Sequence, residues 1–197
     1  QNKGLIISNI SNLYMVEDVD TKIIIKCNAR GKLKEKNESP VVGDYVKISI
    51  TDKQKQEGVI DEILTRTNYI KRPKVANLSQ IIFVISMKTP KPDLLMLDKQ
   101  LAFAEINNIT PIICLNKVDL EKADFINQIE TTYTDVGYKV IKTIAKQNEG
   151  IKELKDLLKN NITAFSGNSG VGKSTLINSI FSNEMTKEGM ISSKNKR

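Results

Sequence analysis

The stretch GNSGVGKST, residues 167–175, has the residue types and spacing of a loop that binds phosphate groups. It matches the pattern G-x-x-x-x-G-K-[ST] in full. Its glycines let successive backbone N–H groups point at phosphate oxygens, and the helix that follows adds its N-terminal dipole. We expect Lys173 to reach the β- and γ-phosphates and the Ser174 hydroxyl to bind Mg²⁺. The predicted phosphate-binding residues are Gly167, Asn168, Ser169, Gly170, Val171, Gly172, Lys173, Ser174 and Thr175.

The stretch NKVD, residues 116–119, predicts which base the nucleotide carries. A carboxylate only accepts hydrogen bonds, and guanine offers two adjacent donors, N1–H and N2–H₂. Adenine would present an acceptor to Asp119 and leave a buried charge unpaired, so the residue favours guanine. We expect Asn116 to join this loop to the phosphate loop and to reach N7 of the base. The stem of Lys117 would lie along the base or the ribose.

A third segment, TIAK at residues 143–146, follows another predicted strand. There the backbone N–H of Ala145 can point at O6 of guanine, and Lys146 completes the segment. By itself this stretch is a weak signal. In chain order both base segments precede the phosphate loop, which is the reverse of the usual order in GTPases.

Strands that alternate with helices position these segments. The predicted strands are IIFVIS (81–86), PIICL (111–115), YKVIKTIA (138–145) and NITAFSG (161–167), with helical spacing between them and after the last. This alternation predicts an α/β domain with a parallel sheet. Ligands in such sheets bind at the carboxyl ends of the strands, where all three segments begin.

Residues 1–66 read instead as about five short strands separated by turn signals. They predict a small all-β barrel of the OB type, a fold that often binds oligonucleotides. A small sandwich that serves only as a spacer is the alternative. The polar stretch around Pro73 indicates the boundary, so we divide the chain into a barrel at 1–70 and a GTPase domain at 71–197.

Composition limits the class of protein. The chain has 197 residues, of which 40% are hydrophobic and 27% charged, as is usual for a folded domain. No apolar run is long enough to cross a bilayer, and the N-terminus lacks the layout of a signal peptide, so we expect a cytoplasmic protein. Histidine is absent, and Cys27 and Cys114 lie in apolar runs. We therefore expect buried thiols and no zinc site within these residues.

The formal net charge is +7, and it is locally dense in KCNARGKLKEK. This run makes Lys26, Arg30, Lys32, Lys34 and Lys36 candidates for RNA contacts. A charge run is usually a solvated loop, and both interpretations stay open. The barrel has few aromatic residues, so a base-stacking platform is not evident.

Guanine segments followed by a phosphate loop, behind a small β-barrel, resemble the circularly permuted GTPases of the RsgA (YjeQ/EngC) type. KGLIISNISNLYMV, CNARGKLK with SPVVGDYV, KRPKVANLSQIIFVIS and GNSGVGKSTLINSI carry the resemblance over the whole chain. The resemblance implies a monomeric GTPase that uses GTP, GDP and Mg²⁺ late in assembly of the small ribosomal subunit. It also implies that the barrel binds rRNA and that the ribosome stimulates turnover.

Some positions depart from the family pattern. Ile144 stands where the third loop usually has serine, and no D-x-x-G occurs in the sequence. The C-terminal domain in which the family binds Zn²⁺ is absent, so we expect a longer protein, and slow hydrolysis by these residues alone. ISSKNKR resembles the run before the family's switch threonine, so Thr186 is not expected to be that residue. No catalytic residue is predicted.

Two further functions remain open from the sequence. The chain could be an rRNA- or ribosome-binding module in which guanine nucleotide is structural and is not turned over. It could also be a P-loop enzyme that uses ATP, if Asp119 does not select the base.

The permuted order of the segments leaves the sheet intact. It directs the segments after the phosphate loop towards a C-terminal domain, which loss of the γ-phosphate could then reposition.

Overall fold

The computed structural model describes residues 1–31, 33 and 39–181. The chain forms two compact units that divide between Ser79 and Gln80. This division falls later in the chain than the boundary after residue 70 that the sequence suggests. No helix of the described residues is long and apolar enough to cross a membrane.

The first unit contains a closed five-stranded barrel, as the sequence predicts. Its strands are β1 (Asn2–Ile10), β2 (Leu13–Asp18), β3 (Ile24–Ala29), β4 (Tyr45–Asp52) and β5 (Glu57–Ile63). The order around the barrel is β1-β2-β3-β5-β4. All neighbours are antiparallel except β3 and β5, which are parallel.

Alternation along the strands builds the barrel core, because successive side chains point to opposite faces. Val16, Val46, Ile48 and Ile60 are fully buried, together with the Cys27 thiol. Burial raises the pKa of that thiol to about 11, so it packs as a neutral apolar group. A short hairpin of β6 (Tyr69–Lys71) and β7 (Lys74–Ala76) completes the unit.

The second unit has a parallel four-stranded sheet in the order β10-β9-β8-β11. Its strands are β8 (Gln80–Ser86), β9 (Thr110–Asn116), β10 (Lys139–Thr143) and β11 (Thr163–Ser166). Its helices are α1 (Leu94–Ile106), α2 (Ala123–Thr134), α3 (Ile151–Leu158) and α4 (Lys173–Phe181). The α/β prediction is confirmed.

Local signals explain where these elements begin and which face they bury. Asp93 caps α1 by accepting a hydrogen bond from the Met96 backbone N–H at 2.9 Å. Leu97, Leu101 and Ala104 then lie on one face of the helix and are buried. The central strands β8 and β9 are buried on both faces, as their continuous apolar runs predict.

Candidate functional site

The three predicted segments come together at the carboxyl edge of the parallel sheet. Asn116 is the last residue of β9, and a short 3₁₀ turn, Val118–Leu120, follows it. A second 3₁₀ turn, Ala145–Gln147, follows β10, and the phosphate loop runs from the end of β11 to the start of α4. Parallel strand direction therefore brings together residues that lie far apart in sequence.

Asn116 holds the three segments to one another. Its side chain is buried, and its Nδ2 donates to the Val171 carbonyl of the phosphate loop at 2.9 Å. Its Oδ1 accepts from the Thr143 hydroxyl at 3.0 Å and from the Ala145 backbone N–H at 3.2 Å. One neutral amide thus fixes the relative positions of both base segments and the phosphate loop.

Thr143, the first residue of the third segment, supports this amide through its hydroxyl. It is fully buried at the end of β10, and its Oγ1 also lies 3.3 Å from Cys114 Sγ. The hydroxyl proton is used on Asn116, so the thiol donates to Thr143. Burial raises the pKa of Cys114 to about 12, which keeps that proton in place. The sequence signal for this role of Thr143 was a polar residue at the end of an apolar strand.

Lys117 adds a second link across the edge. Its backbone is left-handed, with φ of 61°, and its Nζ donates to the carbonyls of Gly170 and Thr89 at 2.6 Å each. The ammonium therefore joins the phosphate loop to the loop after β8. Thr89 contributes only its backbone carbonyl, and because every residue has one, the sequence gives no signal for this contact.

Glycines fix the shape of the phosphate loop. Gly172 has φ of 94°, and a Cβ built on it would lie 2.4 Å from Asn116 Nδ2. A Cβ on Gly167 would lie 2.8 Å from the Val84 carbonyl. A side chain at Gly167 would therefore clash with backbone, and one at Gly172 would have to displace the Asn116 amide.

The first turn of α4 carries the groups that would meet phosphate and Mg²⁺. The Lys173 ammonium reaches back across the loop to the Gly167 carbonyl at 3.3 Å, and Ser174 and Thr175 are exposed. No group of three or more His, Cys, Asp or Glu side chains in the described part of the chain could hold a metal. One hydroxyl still fits Mg²⁺, because this ion usually takes few protein ligands beside phosphate oxygens and water.

A cleft of about 200 Å³ lies between the base segments and the phosphate loop. Asp119 is its one carboxylate among the lining residues, and Leu120 and Ile144 give it apolar walls. Acceptors at one end and apolar walls along the sides suit a flat base. The cleft is lined by Asn116, Lys117, Asp119, Leu120, Ile144, Ala145, Lys146, Gln147, Gly172 and Thr175.

Backbone hydrogen bonds order the third segment, although Ile144 replaces the usual serine. Ile144 and Glu149 exchange two of them, at 3.2 and 3.3 Å. The Ser179 hydroxyl of α4 donates to the Ala145 carbonyl at 3.0 Å. Because Asn116 accepts from the Ala145 N–H, that amide already has a partner inside the protein.

The basic candidates on the barrel differ in their surroundings. Lys26 is exposed on β3. Arg30 pairs with Asp61, with Nε 2.5 Å from the carboxylate, so its charge is compensated within the protein. Lys32, Lys34 and Lys36 lie outside the described residues, as does Thr186.

Sequence comparisons match both units to one family. The profile described as RsgA GTPase matches residues 63–197, and that described as RsgA N-terminal domain matches residues 3–60. Two relatives carry the name Small ribosomal subunit biogenesis GTPase RsgA. The one from Caldanaerobacter subterraneus is 43% identical over 98% of this chain, and the one from Ruminiclostridium cellulolyticum is 41% identical over 98%. The chain spans 64% and 63% of their lengths.

Solved structures agree with these matches. YjeQ from Thermotoga maritima superposes with a TM-score of 0.82 at 37% identity, over 91% of this chain and 64% of that one. YloQ, described as a circularly permuted GTPase, gives 0.79 at 36% identity, over 90% of this chain and 63% of that one. The reversed order of base segments and phosphate loop is therefore the order of a circularly permuted GTPase fold.

Proposed function

We propose that this chain, which belongs to the RsgA GTPase family, binds GTP and GDP and hydrolyses GTP during assembly of the small ribosomal subunit. The observation that carries the proposal is the cleft at the sheet edge. Its three loops are held together by the single buried amide of Asn116. A site assembled in this way can read the base and hold the phosphates of one nucleotide.

Asp119 supports guanine as the base. It is exposed at the cleft, where its carboxylate can accept from N1–H and N2–H₂ of guanine. Ala145 and Lys146 lie on the opposite lining segment, beside the expected position of O6. The Ala145 N–H donates to Asn116 Oδ1, so it is not assigned to O6. The stem of Lys117 lines the same cleft and would cover one face of the base.

The phosphate loop supports a triphosphate. Its backbone N–H groups and the N-terminus of α4 favour anions, and Lys173 would neutralise the β- and γ-phosphates. Ser174 would hold Mg²⁺, which when bound offsets the negative charge on the phosphate oxygens. No residue of the described chain is assigned as a catalytic base.

The names of the relatives support the small ribosomal subunit as the partner. We infer that the barrel contacts rRNA, because OB-type barrels bind oligonucleotides through the face of their second and third strands. Lys26 lies on that face. A monomeric, cytoplasmic protein is part of this proposal, and a Zn²⁺ site outside these residues stays a prediction from the family resemblance.

The test measures nucleotide turnover by the full-length protein, with and without purified small ribosomal subunits. GTP, ATP and XTP are compared for the wild type and for Asp119→Asn. We expect the subunits to stimulate GTP turnover strongly and ATP turnover not at all. In Asp119→Asn the amide can donate to the second carbonyl of xanthine, so kcat/KM should fall about 100-fold for GTP and rise for XTP.

Asp124→Asn, an exposed change on α2, is the matched control and should behave as the wild type. Equal use of ATP and GTP by the wild type would refute guanine selection. Guanine binding without stimulation by subunits would favour an RNA-binding module in which the nucleotide is structural.

A further inference from the structure

A second, smaller pocket lies in the barrel, and none of its lining residues has been given a role so far. It is formed where the β1–β2 turn meets β2 and β3. The turn residues Ser11 and Asn12 both have positive φ, 52° and 68°, as tight hairpin turns require. This turn carries Asn12 to the rim of the pocket, and β3 contributes Asn28. We call this site the barrel pocket.

Among the residues that the structure describes, the lining of the barrel pocket is polar and uncharged. Asn12, Tyr14, Asn28 and Ser39 contribute side chains that can form hydrogen bonds, and Ala29, Leu33 and Pro40 contribute apolar surface. None of those four polar side chains has a hydrogen-bond partner among the residues that the structure describes. A phosphate would require cations and a metal ion would require carboxylates, so the lining favours a neutral group.

Amide side chains offer a donor and an acceptor side by side, which is the pattern on the edge of a nucleobase. The volume of the barrel pocket is about 100 Å³. That is well below the roughly 300–1,000 Å³ of pockets that hold free small molecules. The pocket therefore suits one small ring of a larger molecule, the rest of which stays outside the pocket.

The surface beside the barrel pocket fits a nucleic-acid strand. Lys26 is exposed two residues before Asn28, on the same face of β3, where it can meet a backbone phosphate. Ile10 and Leu13 are cross-strand partners on either side of the turn, and both are exposed. Their apolar surface can pack against a neighbouring base.

We propose that the barrel pocket binds one unstacked nucleobase of a single-stranded RNA, read by the amides of Asn28 and Asn12. The proposal rests on the proposed rRNA-binding role of the barrel and adds a site of base selection to it. A base inside a duplex has its edge paired and its faces stacked, so a pocket of this kind requires a single strand or a loop.

The test measures binding of the full-length protein to oligo(A), oligo(C) and oligo(U) of about twelve nucleotides, a length within the range of OB-fold sites. The wild type should prefer one base about tenfold. Asn28→Ala should remove this preference without changing the salt dependence of binding, because no phosphate contact is lost. Asn28 is exposed, so the Asn28→Ala variant should keep the Tm of the wild type.

Two control variants sharpen the result. Lys26→Gln should weaken binding of all three strands alike and reduce the salt slope by about 0.7. Asn127→Ala removes a side-chain amide of the same type from an exposed position on α2. It should change neither the base preference nor the salt slope of binding. A wild type that binds the three strands equally, or an Asn28→Ala variant that keeps the preference, overturns the barrel pocket as a base site.

Failure of this inference can be told apart from failure of the proposed function. If no strand shows a base preference but small subunits still stimulate GTP turnover, only the barrel pocket is refuted. If turnover is not stimulated, the proposed role in subunit assembly fails, whatever the strands show.

Discussion

Each unit of the molecule contains a buried polar side chain, one among several, that joins separate chain segments. In the barrel unit it is Asp44, just before β4, whose carboxylate accepts from Val41 N–H at 2.8 Å and from Arg66 at 2.7 and 2.8 Å. In the α/β unit it is Asn116, at the end of β9, which contacts Val171, Thr143 and Ala145. The first is charged and the second is neutral.

The difference shows how a buried polar group can serve either the fold or a site. Asp44 needs a cation beside it, because a lone buried charge costs far more than a lone amide. Its partners hold chain segments of the barrel unit, and none of them lines the proposed nucleotide cleft. Asn116 needs no charge, and each of its partners belongs to or adjoins a loop around that cleft. We therefore expect Asp44 to affect stability alone and Asn116 to affect stability and nucleotide affinity together.

The largest expected effect comes from Arg66→Ala. Arg66 binds Asp44 through two nitrogens and also lies over the Tyr69 ring, 4.6 Å from its centroid. Its removal leaves a fully buried carboxylate without a cation, so the free energy of unfolding should fall by about 3 kcal/mol. Urea unfolding measures the loss, and GDP titration of the folded variant should give the wild-type Kd.

The control is Lys47→Ala, which removes the exposed ion pair with Glu62. Exposed pairs contribute roughly 0–1 kcal/mol, so this change should be nearly neutral. Equal losses for the two variants would show that Asp44 is not a stabilising centre. A weakened GDP affinity in Arg66→Ala would remove the contrast between the two units.

Gly172→Ala tests the Asn116 side of the comparison. An alanine there must hold a positive φ, and its Cβ would lie 2.4 Å from Asn116 Nδ2. Gly170→Ala is the matched change, because φ is 82° and the nearest atom to its Cβ is Pro90 Cδ at 3.7 Å. Both carry a backbone strain of roughly 1–2 kcal/mol, but only Gly172→Ala displaces the amide.

We therefore expect GDP to bind Gly172→Ala at least about tenfold more weakly than Gly170→Ala, a difference near 1.4 kcal/mol. Calorimetric titration of both variants measures it. Similar affinities for the two would mean that the position of Asn116 does not control the cleft.

The sequence predicted the elements and named most of the residues that line the candidate cleft, because both depend on local patterns. The phosphate loop and NKVD are recognised by the fixed spacing of their residues. Each follows the end of a predicted strand, which places both at the carboxyl edge of the parallel sheet. Thr89 escaped prediction because it acts through its backbone carbonyl, which any residue supplies. Asp44 and Arg66 escaped it because their pairing joins positions 22 residues apart in sequence, outside any element period.

The Ala145 amide shows a different limit. The sequence predicts that its N–H faces guanine, and in the structure it donates to Asn116 Oδ1. The sequence pattern identifies this N–H as a donor, but it does not reveal which acceptors compete for it. That competition depends on the three-dimensional position of Asn116, which is set by strand register with β10.

The smallest expected effect comes from Thr143→Val, which keeps the shape of a fully buried side chain and removes its hydroxyl. Asn116 Oδ1 then retains the Ala145 N–H, and the Cys114 thiol loses its acceptor. The loss of a neutral hydrogen bond should lower the free energy of unfolding by about 1 kcal/mol and weaken GDP binding a few-fold. Thr143→Ser restores the hydroxyl and should recover most of the affinity, whereas Thr110→Val, at the exposed start of β9, should change neither quantity. If Thr143→Val lowered stability but left GDP binding at the wild-type value, the Asn116 amide would act like Asp44, as a support of the fold alone.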